Sequence, residues 1–129
     1  MGATAKKKST YEQRLTDLFI TAYEGGSSYW ASVHISFGEK AQEKIKEMGS
    51  TSEYLFSRIW NDGKEFTVFD AEEGDELGKM NKANFKKGYT LLKSDPYVDH
   101  YSDLVSENWD ANTADVWFQL AILNDITFC

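Results

Sequence analysis

The sequence predicts one α+β domain, a small antiparallel sheet packed with several short helices, over residues 9–129 behind a flexible tail at 1–8. Three observations carry this. Several segments repeat apolar residues at helical spacing. Two others, 28–36 and 64–70, alternate as half-buried strands do. No repeat, linker or shift of composition divides a chain of 129 residues, an ordinary size for one domain.

The elements follow in order. Ser9 with Glu12 reads as a capping box, and Tyr11, Leu15, Leu18, Phe19 and Ala22 recur at helical spacing, predicting a helix over about 10–24 that Gly25-Gly26 stops. Over 28–36, Tyr29, Ala31, Val33 and Ile35 fall on one side of a strand as its core face, and Trp30, Ser32, His34 and Ser36 on the other. A charged helix from Glu39 to Met48 breaks at Gly49. Ser50 and Glu53 form a second capping box before Tyr54, Leu55, Ile59 and Trp60, and Asp62-Gly63 makes a turn. Lys64–Asp70 predicts a strand, an acidic loop follows, and a short strand lies around Leu77–Met80.

Asn81 or Asn84 caps the next helix, which carries Phe85, Tyr89, Leu91 and Leu92. Asp95-Pro96 opens another, with aspartate at the cap, proline in the first turn, and Tyr97, Tyr101, Leu104 and Val105 inward. Asn112 or Thr113, with Asp115, caps the last helix, whose Val116, Trp117, Leu120 and Ala121 face the core; Ile126–Phe128 is a final strand or an extended tail.

Composition excludes several classes. With 41% hydrophobic residues and one proline, the chain is not disordered. The single cysteine, Cys129, permits neither an intramolecular disulfide nor a cysteine zinc cage. No run of about 18 apolar residues exists, and MGATAKKKST lacks a signal peptide's apolar stretch, so a cytoplasmic protein without membrane partners is expected.

Charge is distributed unevenly. Every Lys and Arg lies at or before Lys93, and residues 94–129 hold seven acids, so the whole excess of −7 sits in that last stretch. Such a field repels nucleic acid directly and favours basic partners. Asp95, Asp99, Asp103 and Glu107 repeat every four residues, about every 6 Å along a helix, as an acidic surface. The same acids also fit a solvated face that aids solubility.

Catalytic signatures are sparse. There is no P-loop and no dinucleotide fingerprint. His34 reads as structural, and His100 among Asp99 and Asp103 does not make a metal pair, so neither a metal nor a cofactor is expected. Ser27-Ser28 has no nearby base, and the acidic loop from Asp70 to Asp75 misses the calcium-loop spacing.

Two segments exceed what their local structure needs. Gly25-Gly26 leaves backbone open while Tyr29 and Trp30 offer flat faces, a mix suited to stacking on a base, although a turn with core aromatics fits as well. Asp110, Asn112, Thr113 and Asp115, with Gln119 one turn on, supply more polar groups than one cap requires. The two segments together are the candidate ligand pocket, within one chain or across a homo-oligomer interface.

The pattern Thr21-Ala22-Tyr23-Glu24-Gly25-Gly26 then Tyr29-Trp30, the central Phe69-Asp70 with Leu77-Gly78, and Asp110-Ala111-Asn112-Thr113-Ala114-Asp115-Val116 with Gln119 resemble a family of small bacteriophage-encoded proteins over about residues 10–128. Members close on an aromatic-glycine pair, whereas here Cys129 follows Phe128. The resemblance implies an origin rather than a chemistry: an accessory phage gene acting in the host bacterial cytoplasm. The expected function is then a binding protein that antagonises bacterial defence, by sequestering a small nucleotide-like signal or blocking a host defence protein. An acidic DNA mimic directed at a nuclease or restriction-type enzyme is the alternative. A small nucleotide-modifying hydrolase using Asp110, Asp115 or His100, or a phage assembly role, also remains open.

Overall fold

A computed structural model of the protein describes residues 8–128. Helix α1 (Thr10–Thr21) starts where Ser9 Oγ accepts the Glu12 N–H at 3.1 Å. It runs into a π-helical turn, Ala22–Gly26, then a short strand β1 (Ala31–Ser32). Helices α2 (Glu39–Met48) and α3 (Thr51–Asp62) follow, the first closed by Gly49 at φ 101° and the second capped by Ser50. A hairpin of β2 (Phe66–Asp70) and β3 (Glu76–Met80) leads to α4 (Lys82–Leu92), α5 (Val98–Val105) and α6 (Ala111–Leu123). The sheet is antiparallel in the order β1-β2-β3, with Ala31 opposite Asp70 and Phe66 opposite Met80. This is the small α+β arrangement that the periodicities predict.

The core is organised around α6. Ten consecutive residues of it, Thr113 to Ile122, are buried, so the helix is enclosed on all sides rather than along one stripe. Two close approaches make that enclosure possible. A Cβ on Gly88 of α4 would lie 2.8 Å from Ala121 Cβ and 2.9 Å from its Cα, and a Cβ on Gly78 of β3 would lie 2.7 Å from the Ile122 carbonyl oxygen. Glycine at both positions lets α4 and the hairpin approach the α6 backbone. Phe19, Phe56, Phe85, Trp117 and Phe118 fill the remaining space with tilted and edge-on rings.

Four expectations need correction. The strand over 28–36 shrinks to Ala31–Ser32, because Ser27 to Trp30 form a turn in which the Trp30 and Ala31 N–H groups both donate to the Ser27 carbonyl. That turn reverses the expected faces at its own two aromatics, Trp30 being 2% exposed and Tyr29 46%, while Val33 and Ile35 pack on the core and His34 and Ser36 are exposed as expected. Asp95 does not cap a helix; the Asp95-Pro96 peptide is cis, the Tyr97 N–H closes a turn on Ser94, and α5 begins at Val98. Val105 is exposed, whereas Leu104 is buried as expected. The α6 cap is Asp110, whose carboxylate accepts from the Asn112 and Thr113 N–H groups, rather than Asn112 or Thr113. The flexible tail expected at 1–8 falls outside the described residues except Lys8, whose ammonium donates to Thr16 Oγ1 at 3.0 Å. Cys129 falls outside them too.

Candidate functional site

The two segments singled out in the sequence meet at Asp115. Its position on α6 is nearly sealed, at 6% exposure, and four side chains donate to the carboxylate. Ser27 Oγ and Trp30 Nε1 reach Oδ1 at 2.7 Å each. The Tyr29 hydroxyl and Gln119 Nε2 reach Oδ2 at 2.5 and 3.0 Å. A buried carboxylate needs such partners, and here they come from residues 27–30 and from one turn along its own helix. The turn at Ser27–Trp30 exists where it does because three of its side chains converge on this one group.

Gly26 completes the junction. A Cβ there would lie 3.1 Å from the Ala111 carbonyl, so the π-helical turn is pressed against the start of α6. Gly25, by contrast, has open space where a Cβ would stand. Glu24 reaches the other way and accepts a 2.5 Å bond from the buried Ser52 hydroxyl, tying the turn to α3.

Gln119 carries the network onward. Its Oε1 accepts from the Thr127 and Phe128 N–H groups at 2.8 and 2.9 Å, and its Nε2 donates to the Phe128 carbonyl at 3.0 Å. The segment 126–128 is thus an extended strip held by one side chain rather than a strand. Phe128 then stacks on Trp30, with ring centroids 5.1 Å apart and planes 8° from parallel.

This geometry changes the roles expected of several residues. Trp30 cannot stack on a ligand: Phe128 covers one face, Phe118 packs against it at 5.6 Å, and its N–H is engaged. Two of the α6 N-terminal donors expected to face a ligand, the Asn112 and Thr113 N–H groups, are occupied by Asp110. Asn112 is exposed and Thr113 buried. The acidic residues Asp95, Asp99, Asp103 and Glu107 are all exposed, yet only Asp99 and Asp103 share a helix; Asp95 precedes α5 and Glu107 follows it at φ 60°. The regular acidic stripe is therefore reduced to one pair.

None of the site residues named from the sequence lines a groove that opens on the outer side of the turn, although Tyr23, Ser27, Ser28 and Phe118 lie in the two segments that drew attention. The groove encloses about 230 Å³ and is lined by Tyr23, Ser27, Ser28, Ala31, Val33 and, at its floor, Phe118. Burial raises the Tyr23 phenol above its ordinary pKa and keeps it neutral. Ser28 Oγ donates to the Gly25 carbonyl at 3.0 Å, so toward the groove that oxygen can only accept. No Lys or Arg lines it. Tyr23 stands at helical spacing from Phe19, on which it stacks at 5.5 Å; that spacing was the available signal, but it reads equally as core.

Among the described residues no group of three or more His, Cys, Asp or Glu is placed to hold a metal ion, and no helix is long and apolar enough to cross a membrane. His34 stacks on Phe69 with centroids 4.6 Å apart. Comparison with protein-family models, with curated proteins and with solved structures finds no match to this chain.

Proposed function

We propose that this chain is a phage accessory binding protein that antagonises a bacterial defence by taking up a small nucleotide-like signal through its base. The observation behind this reading is the groove at Tyr23–Val33, held open by the buried Asp115 junction. About 230 Å³ is below the usual range of whole-ligand pockets, and it accommodates one ring system rather than a complete nucleotide. Phe118 and Tyr23 supply apolar and aromatic walls, while Ser28 supplies an acceptor for a ring amino group. With no cation in the lining, phosphates stay outside in water, and a base edge rather than a phosphate confers recognition. The polar groups of the junction serve as scaffold: they are saturated by one another, which leaves no spare nucleophile or general base at the groove and favours binding over catalysis.

The test is a titration of the ¹⁵N-labelled protein with nucleosides, their monophosphates and cyclic dinucleotides. Amide shifts at Ser27, Ser28 and Val33, with nucleosides binding at least as tightly as their monophosphates, are expected. Ser28→Phe, which fills the groove from an exposed position, abolishes them. Absence of any shift at millimolar ligand, or shifts centred elsewhere, overturns the reading.

A further inference from the structure

A second and larger groove, about 420 Å³, lies between α1 and the connection from α5 to α6, and shares no lining residue with the first. Its size falls within the range of pockets that take small molecules. Arg14, Gln13 and Asp17 line one side; Leu104, Glu107 and Trp109 line the other.

Arg14 is half-buried and oriented by a hydrogen bond from Nη1 to the Tyr89 hydroxyl at 3.4 Å, and that bond supports its charged form. Arg14 and Glu107 feel each other across this groove, Glu107 also supporting the charged guanidinium, without closing into an ion pair. The ion pairs among the described residues are Lys44–Glu47 and Arg58–Asp62, so neither Arg14 nor Glu107 is in one. Lys8 also lines the groove, with its ammonium on Thr16 Oγ1 and over the Phe56 ring. Asp17 accepts the Gln13 amide at 2.9 Å. The Arg14 guanidinium and the Glu107 carboxylate face a ligand from opposite sides, with the Asp17 carboxylate beside Arg14.

The position of Glu107 adds an independent observation. Helix α5 ends with the Glu107 N–H on the Leu104 carbonyl and the Asn108 N–H on the Asp103 carbonyl, a pair of bonds that places residue 107 in the left-handed region at φ 60°. Glycine is the residue that such a helix end favours. A glutamate held there against its backbone preference, on the rim of a groove containing an unpaired arginine, points to a use for its carboxylate.

We propose that this groove binds the head group of a zwitterionic α-amino acid, with the carboxylate on Arg14, the ammonium on Glu107, and an apolar side chain against Trp109 and Leu104. The planar guanidinium matches a carboxylate with two parallel N–H donors. Glu107 and Asp17 disfavour a polyanion such as a nucleotide, and Arg14 disfavours a plain amine, so opposite charges on one small body are selected. The wall formed by Trp109 and the buried Leu104 suits an aromatic or branched side chain.

The test uses the full chain labelled with 5-fluorotryptophan, with the Trp109 resonance assigned from Trp109→Phe. Phenylalanine is expected to shift that resonance at millimolar concentration. Phenylethylamine, which lacks the carboxylate, and 3-phenylpropionate, which lacks the ammonium, bind roughly tenfold more weakly or worse. Arg14→Gln erases the advantage of phenylalanine over phenylethylamine, and Glu107→Gly, which suits the helix end, erases its advantage over 3-phenylpropionate. An unmoved resonance, or equal binding of all three compounds to the unaltered protein, overturns the proposal. Failure here leaves the Tyr23–Val33 groove untouched, since its probes are different amides.

Discussion

Gln119 bonds to both sides of Phe128: its Oε1 accepts the Phe128 N–H at 2.9 Å and its Nε2 donates to the Phe128 carbonyl at 3.0 Å. One buried side-chain amide thus plays the part that a neighbouring strand would play, and it does so from the middle of a helix. Through the same Nε2 it also contacts Asp115, so the last described residues, the turn at Ser27–Trp30 and α6 form one hydrogen-bonded unit.

Gln119→Leu keeps the volume of the side chain and removes all of these bonds. The Thr127 and Phe128 N–H groups lose their acceptor, and Asp115 loses one of its four donors. The expected loss is about 2 kcal/mol, measured by chemical denaturation. Amide exchange at Thr127 and Phe128 should rise while exchange in α4 is slowed as before, and unchanged protection at 127–128 would show that the strip is held by Phe128 stacking alone.

Asp115→Asn tests whether the junction needs a carboxylate. The Trp30 indole N–H and the Gln119 NH₂ can only donate, and they sit on different oxygens. Whichever end of an asparagine carries the NH₂, one of these donors meets another donor in a buried place. The Tyr29 hydroxyl can turn and accept, but Gln119 cannot flip without releasing Thr127 and Phe128. Destabilisation of about 3 kcal/mol is expected, with a red-shifted, partly quenched tryptophan emission as Trp30 loosens. A neutral effect would mean that the network re-forms around the amide.

Helix ends were legible in the sequence where a side chain does one local job. Ser9 and Ser50 cap α1 and α3 as their spacing to Glu12 and Glu53 predicts, and of the two candidates for α4 it is Asn81 that caps. The hairpin was legible because Phe66 and Val68 alternate with Thr67 and Phe69 before an acidic loop that a second short apolar segment follows. Residues 28–36 misled for a physical reason: alternation reports which side chains are apolar, while the backbone there answers to Asp115, some 85 residues away in sequence and invisible to local patterning. The same holds for α6, whose even burial follows from Gly88 and Gly78 on other elements rather than from its own period. The polar excess around Asp110–Gln119 was noticeable, but its direction was not: it faces into the protein. Tyr23 and Phe118, at the margins of the two segments, bound the outer groove, and nothing in their spacing told them from core residues.

Lys87 on α4 offers a check by pH. Its ammonium is partly buried and has Asn84 Oδ1 at 3.4 Å as its contact, and burial lowers its pKa. In the folded state the charged form is therefore penalised below the folded-state pKa. As pH rises from there toward the ordinary lysine value, the unfolded chain holds the extra proton and the penalty is relieved. Lys87→Met should raise the melting temperature slightly at neutral pH, with the advantage shrinking as the solution becomes alkaline. Melting temperatures of both proteins across that range decide it; a constant difference would assign the gain to packing instead.

Glu107→Gly separates stability from ligand binding. Left-handed geometry costs an L-residue about 1–2 kcal/mol, and the greater freedom of glycine in the unfolded chain takes back about half of the relief. The Schellman-type bonds from Glu107 and Asn108 are made by the backbone and survive the change. A net gain of about 0.5 kcal/mol is expected, seen as a small rise in melting temperature with no change in the far-ultraviolet spectrum. The same variant loses the only carboxylate that faces Arg14 from the α5 side of the second groove. A protein that becomes more stable and at the same time a poorer discriminator of the ammonium group would show that residue 107 is kept for its side chain. A variant less stable than the parent would instead show that the Glu107 carboxylate stabilises the fold through Arg14, and that the backbone preference is the smaller of the two effects.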